Sequence, residues 1–142
     1  MTSTETEIKT LLDTWSEAVA AKDVDGLMTL YAPNIVYFDA VPPLQVTGVT
    51  SVRKNFERWF DLWSSGIKSE SRDLRIIASN DTAVAFKLHR SSGVRKDGRE
   101  AGMWVRVTVV CRRFNSHWLI THEHVSVPAD MQGGRAVTDA VP

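Results

Sequence analysis

The residues of this chain best suited to chemistry lie close together near its C-terminal end. The stretch Trp118-Leu119-Ile120-Thr121-His122-Glu123-His124-Val125-Ser126-Val127-Pro128 alternates with period two, as a strand with two unlike faces does. Read this way, Trp118, Ile120, His122, His124 and Ser126 share one face, and Leu119, Thr121, Glu123, Val125 and Val127 share the other. Apolar bulk giving way to two imidazoles and a hydroxyl on one side fits a half-apolar pocket with a polar end. Imidazoles exchange protons near neutral pH, so His122 and His124 are candidates for acid–base work. Pairing Phe114 with Trp118 across a short connection sets Val110 beside His122, Thr108 beside His124 and Arg106 beside Ser126. Trp104, Arg106 and Thr108 would then project to the same side as the histidines. A guanidinium buried there without a counter-charge would cost about several kcal/mol, so an anion is expected nearby. Asp39, closing the β-rich run Ile35-Val36-Tyr37-Phe38, is the candidate. Thr108 and Ser126 are read as tying the imidazoles down.

The elements that must position these groups can be read from the rest of the chain. Residues 4–22 carry Ile8, Leu11, Leu12, Trp15, Ala18 and Val19 at helical spacing, with Thr4 and Glu7 as a capping box. Asp23 or Asp25 caps a short second helix through Tyr31, which Pro33-Asn34 ends. A third helix over 49–65 places Val52, Phe56, Trp59, Phe60 and Trp63 on one stripe, with Gly66 at its end. That stripe reads either as simple core packing or as packing in which some of the rings line a ligand cavity. After Gly66 the pattern is sheet: strands over 67–79, 82–92, 101–114 and 118–127. Asp97-Gly98 marks a hairpin between the second and third of these. The order predicts an α+β fold, a curved antiparallel sheet wrapped by three N-terminal helices with a cavity between them. Residues 1–128 form one domain, and 129–142 have no periodicity and read as a mobile tail.

Composition narrows the function classes. Seventeen basic and seventeen acidic residues cancel in 142, so no net field recruits nucleic acid or an anionic membrane. The single Cys111 allows no intrachain disulfide and no metal–cysteine spacing. The N-terminus lacks the basic and apolar regions of a signal peptide, and no apolar run is long enough for a bilayer. The expectation is a cytoplasmic domain with a small-molecule ligand.

Several segments together are similar to one family. Trp15-Ser16-Glu17-Ala18-Val19-Ala20-Ala21-Lys22-Asp23-Val24-Asp25-Gly26-Leu27, Tyr31-Ala32-Pro33 and Ile35-Val36-Tyr37-Phe38-Asp39 are three of them. The others are Gly48, Val105-Arg106-Val107-Thr108 and the closing Trp118-x-Ile120-x-His122-x-His124-x-Ser126-x-Pro128. Over about residues 5–128 the chain resembles the ketosteroid isomerase/SnoaL-like branch of the nuclear transport factor two-like superfamily, a cystatin-like α+β architecture. The resemblance implies a cone-shaped α+β barrel with an internal pocket, no cofactor, and a homodimer packed through the outer sheet face. It puts the family's general-base aspartate on Asp39. The family's oxyanion-hole tyrosine falls on Trp15, and its protonated acid falls near Val110, which cannot donate. His122, paired beside Val110, would stand in for that acid.

Three functional readings follow. The first is cofactor-independent acid–base chemistry on a partly apolar carbonyl compound: isomerisation, aldol-type cyclisation or dehydration. Asp39 would be the base, and His122 or Trp15 would polarise the carbonyl while His124 relays a proton. Trp15, Tyr31, Phe56, Trp59, Trp104, Arg106, Thr108 and Ser126 would line the substrate site. The second is a non-catalytic binding module, with Arg106 pairing to a ligand carboxylate. The third uses His122, His124 and Asp39 as a metal set; no metal is expected. A scaffold working only through protein contacts is disfavoured, because polar groups inside a cavity would then only destabilise it. Val105, Val107, Val109, Cys111, Leu119 and Val125 are expected to form the apolar outer face of a dimer.

Overall fold

The computed structural model describes residues 1–142. Helix α1 spans Ser3–Ala20 and buries Ile8, Leu11, Leu12, Ala18 and Val19. Its capping box is Thr2 with Glu5, two residues before the expected pair, because Thr2 adopts the extended cap conformation. Asp23 caps the short α2, Val24–Met28, by accepting from the Gly26 N–H. Tyr31, expected at the end of that helix, instead opens strand β1, Tyr31–Phe38.

A two-residue strand β2, Val46–Thr47, pairs with β1 and leads through Gly48 into α3, Val49–Phe60. Gly48 sits at φ 83° and ψ 145°, a backbone region open only to glycine in practice. Helix α3 ends at Asp61, short of Gly66, and the chain turns so that Trp63 is also buried. Four long strands follow: β3 (Lys68–Ala78), β4 (Thr82–Val94), β5 (Glu100–Phe114) and β6 (His117–Ser126). The sheet order is β2-β1-β6-β5-β4-β3, antiparallel throughout except for β1, which lies parallel to β6. The residues after Pro128, which show no periodicity, form a small hairpin of β7 (Ala129–Asp130) and β8 (Arg135–Ala136). No helix is long and apolar enough to cross a membrane.

One irregularity decides what the sheet presents to its interior. The β5–β6 hairpin turns on Asn115-Ser116, both at positive φ, which pairs Phe114 with His117 and Cys111 with Ile120. Thr121 is then an extra residue, a β-bulge, after which Val110 pairs with His122, Thr108 with His124 and Arg106 with Ser126. The pairs beyond the bulge are those expected, but the face is not. Ile120 and Glu123, an odd number of positions apart, both point into the interior.

The core lies between α1, α3 and the concave face of the curved sheet. Alternate residues of the sheet, Ala83 and Ala85 on β4 and Val107, Val109 and Cys111 on β5, supply its floor. Val105, Val107, Val109, Cys111 and Val125 therefore belong to the interior, not to the outer apolar face expected of them. The outer face instead presents Phe86, Leu88, Trp104, Arg106, Thr108 and Val110, with His122 and His124 beside them. The last hairpin is anchored to α1 where the Trp118 indole N–H donates to Glu7 Oε2 at 2.6 Å. The Arg113 guanidinium lies 4.8 Å over that indole.

Candidate active site

The sheet and helices do not fill the space they enclose. A cavity of about 670 Å³ remains, opening between α3, the Asp39–Pro42 segment and the inner face of β4 and β5. Its walls are mostly apolar, with Trp15, Phe56, Trp59 and Trp63 on the helical side and Met103, Val105, Val107 and Val109 on the sheet. The volume is ordinary for a small-molecule site.

Polar groups enter from three strands, β1, β6 and β4. Tyr37 and Asp39 lie two residues apart at the end of β1 and both reach the cavity. Asp39 is held in place by the Asn55 side-chain amide, which donates to Oδ2 at 2.8 Å, and by the Ala40 N–H, which donates to Oδ1 at 2.7 Å. At the floor is Glu123, only 2% exposed. The Tyr31 hydroxyl donates to its Oε1 at 2.7 Å and the Tyr37 hydroxyl to its Oε2 at 3.1 Å. The Trp15 indole N–H in turn donates to the Tyr31 oxygen at 2.9 Å, completing a chain from helix to strand.

Burial pushes the Glu123 carboxyl up to about 7, against the downward pull of the two phenols and Lys87. Burial first, and the facing carboxyl second, hold both phenols far above the usual tyrosine range, so they remain donors. Lys87 and His89 project inward from β4, in the same alternation as Ala83 and Ala85. Burial drives the His89 imidazole down to about 3, with Lys87 adding to the effect, so it is neutral near pH 7. Its Nδ1 lies 3.4 Å from Ser71 Oγ and its ring stands edge-on to Trp15 at 5.4 Å.

The candidates read from the sequence divide into two groups. Asp39, Trp15, Phe56 and Trp59 line the cavity, and Tyr31 lies just behind it as the link between Trp15 and Glu123. His122, His124, Trp104, Arg106, Thr108 and Ser126 do share one face, but it is the outer one, because the bulge at Thr121 reverses which side of β6 looks inward. There the His122 Nδ1 lies 2.7 Å from the Val36 carbonyl oxygen and Phe38 packs edge-on to both imidazoles, at 4.7 and 5.4 Å. The Arg106 Nε–H donates to Ser126 Oγ at 3.1 Å, so the guanidinium is at the surface and needs no partner from Asp39. The histidines and Asp39 thus lie on opposite sides of the sheet, and no group of three His, Cys, Asp or Glu side chains stands close enough to hold a metal ion.

Glu123, Tyr37, Lys87, His89 and Asn55 escaped the sequence reading. For β4 a signal existed: Ala83, Ala85, Lys87, His89 and Ser91 alternate on one side of a single strand. For Glu123 none did, since an acid among apolar neighbours reads as the solvated side until the bulge is known.

The chain thus forms an α+β shell around a mainly apolar hollow, with an aspartate on its wall and a buried acid on its floor. The chain belongs to the SnoaL-like domain family, whose model matches residues 8–130, within the NTF2-like superfamily. It is similar to an NTF2-like protein of unknown function from Pseudomonas putida KT2440, at 32% identity over 100% of this chain and 99% of that one, with a TM-score of 0.90. It shares its fold with a ketosteroid isomerase-like protein from Erwinia carotovora atroseptica SCRI1043 (13% identity, 89% and 97% covered, TM-score 0.75). The same holds for a candidate dehydratase of the NTF2-like family from Streptomyces avermitilis (19% identity, 87% and 96% covered, TM-score 0.74). Among curated proteins no match to the chain is found.

Proposed function

We propose that this protein is an enzyme performing cofactor-independent acid–base chemistry on a small, largely apolar carbonyl compound: isomerisation, aldol-type cyclisation or dehydration. The observation that carries the reading is the pairing, in one apolar cavity, of a carboxylate and a proton-holding carboxyl. Asp39 is fixed by Asn55 on the wall, and Glu123, raised to about 7, is fed by two phenols at the floor. Two carboxyl groups whose surroundings separate their roles are what proton abstraction beside a carbonyl requires. Asp39 takes the proton. The protonated Glu123, held in place by the Tyr37 hydroxyl, donates to the charge that develops on the substrate oxygen, in a region where water competes little. Glu123 takes the part that His122 had in the sequence reading, since that imidazole is outside the cavity. Neighbours of the same fold described as ketosteroid isomerase-like and as a candidate dehydratase agree with chemistry of this kind.

Asp39→Asn tests the assignment. Turnover of a carbonyl substrate found by screening should fall about 10²–10⁴-fold with the fold intact by circular dichroism. An Asn variant of near-normal turnover would remove Asp39 from the mechanism.

The non-catalytic binding reading is favoured by one feature, the mainly apolar lining, which needs no chemistry to hold a ligand. A ligand bound at micromolar affinity and recovered unchanged after prolonged incubation would support it. The proposal includes a homodimer formed through the outer sheet face, where no helix covers the strands and Ile77 and Phe86 are 65% and 36% exposed.

A further inference from the structure

The cavity's charges do not balance, although the chain's charges do. Five of its lining residues carry formal charge near neutrality: Arg58, Lys87 and Arg95 against Asp39 and Glu123. Glu123 holds its proton to about 7, so the cavity is cationic in excess. None of the three cations takes part in an ion pair. Arg58 reaches only the Asn55 side-chain oxygen, at 3.3 Å, and Arg95 stacks over the Trp63 ring at 4.7 Å.

Lys87 is the informative one. It sits half-buried on the inward face of β4 between the buried Ala85 and His89 and opposite the buried Val107. Glu123 attracts it without pairing with it: no carboxylate oxygen lies within 4.0 Å of the ammonium, and both Glu123 oxygens already accept from tyrosines. The Lys87 ammonium lies 5.9 Å over the Trp15 ring and feels Glu123 and Asp13 only at a distance. A cation left at the cavity wall without a direct carboxylate partner is explained by an anion that arrives with the ligand. We infer that the substrate carries a carboxylate on an otherwise apolar frame, that Lys87 seats this carboxylate, and that Arg58 and Arg95 draw it in from the mouth. Along a strand, Lys87 and Arg95 are eight positions apart, roughly 26 Å of backbone, so one carboxylate cannot hold both at once. They act in succession: the arginines raise the local concentration of anions, and the lysine fixes the bound pose.

This inference rests on the cavity being the substrate site, and its test is a binding measurement, so that it can fail separately from the acid–base reading. The probes are naphthalene-2-carboxylate and its neutral isostere naphthalene-2-carboxamide, titrated by calorimetry into the wild-type chain, Lys87→Met, Lys87→Arg and Asp39→Asn. The wild-type chain should bind the carboxylate at least about tenfold more tightly than the amide. Lys87→Met should bring the two affinities together by weakening the carboxylate alone, and Lys87→Arg and Asp39→Asn should each keep the preference. Equal affinities in the wild-type chain, a Lys87→Met variant that still prefers the acid, or no binding of either probe would each overturn it. If Lys87→Met cannot be obtained folded, Lys87→Arg and the wild-type comparison still decide. Lost turnover in Asp39→Asn without any acid preference in the wild type would leave the acid–base chemistry and remove the carboxylate site. The reverse outcome would do the opposite.

Discussion

At the scale of single residues, Glu123 has the most to account for. A carboxyl sealed beneath a sheet would be expelled to solvent or replaced, were it not that both of its oxygens accept from phenols. Its raised value has a consequence for stability, with a definite sign. In the unfolded chain the group loses its proton near 4.5; in the folded chain it keeps it to about 7. Between these values the folded state holds one proton more, so rising pH favours unfolding. A contribution of about 3 kcal/mol is fully present below the lower value and is lost as pH climbs through the upper one. Denaturant unfolding at intervals from pH 4.5 to 8 should show this decline, and Glu123→Gln should flatten it. A wild-type curve without the decline would mean that the carboxyl is ionised in place.

At the scale of elements, α3 shapes the cavity. Phe56 is buried and meets Trp15, Tyr31, Tyr37, Trp59 and Phe60, with ring centroids between 5.9 and 6.4 Å apart. Phe56→Ala should cost about 3–5 kcal/mol in urea unfolding. It should also loosen the tyrosines that hold Glu123, so the pH dependence described above should weaken with it. The helix itself was legible, because Val52, Phe56 and Phe60 recur at helical spacing and nothing interrupts them. So were the four long strands and the placing of Asp39 at the end of β1, since Tyr37 and Asp39 obey simple alternation. The closing strand was not. Period-two alternation from Trp118 to Ser126 looks unbroken in the sequence, yet Thr121 adds one residue and exchanges the two sides. The hydroxyl of Thr121 donates to the Val110 carbonyl oxygen at 3.2 Å, a tertiary contact that no local pattern announces. Two imidazoles therefore read as facing the cavity when they lie on the outer side of the sheet, and the acid between them, assigned to the other side, forms the cavity floor.

At the scale of the whole molecule, the outer side of the sheet carries the proposed dimer. Phe86→Glu introduces a charge into that face without touching the cavity, since its neighbours Ala85 and Lys87 point the other way. In sedimentation the wild-type chain should run at twice its 15.9 kDa and the variant at 15.9 kDa. A wild-type chain that sediments at the single mass would remove the dimer while leaving the site untouched.

The placement of the indoles gives the molecule an optical readout of its own. Of its five tryptophans, Trp15, Trp59 and Trp63 stand around the hollow, whereas Trp104 and Trp118 do not. Ultraviolet emission from this chain is therefore weighted towards the one place a guest would occupy. Any molecule that displaces solvent there shifts the spectrum without a label, and an unlabelled compound collection can be read directly against the protein.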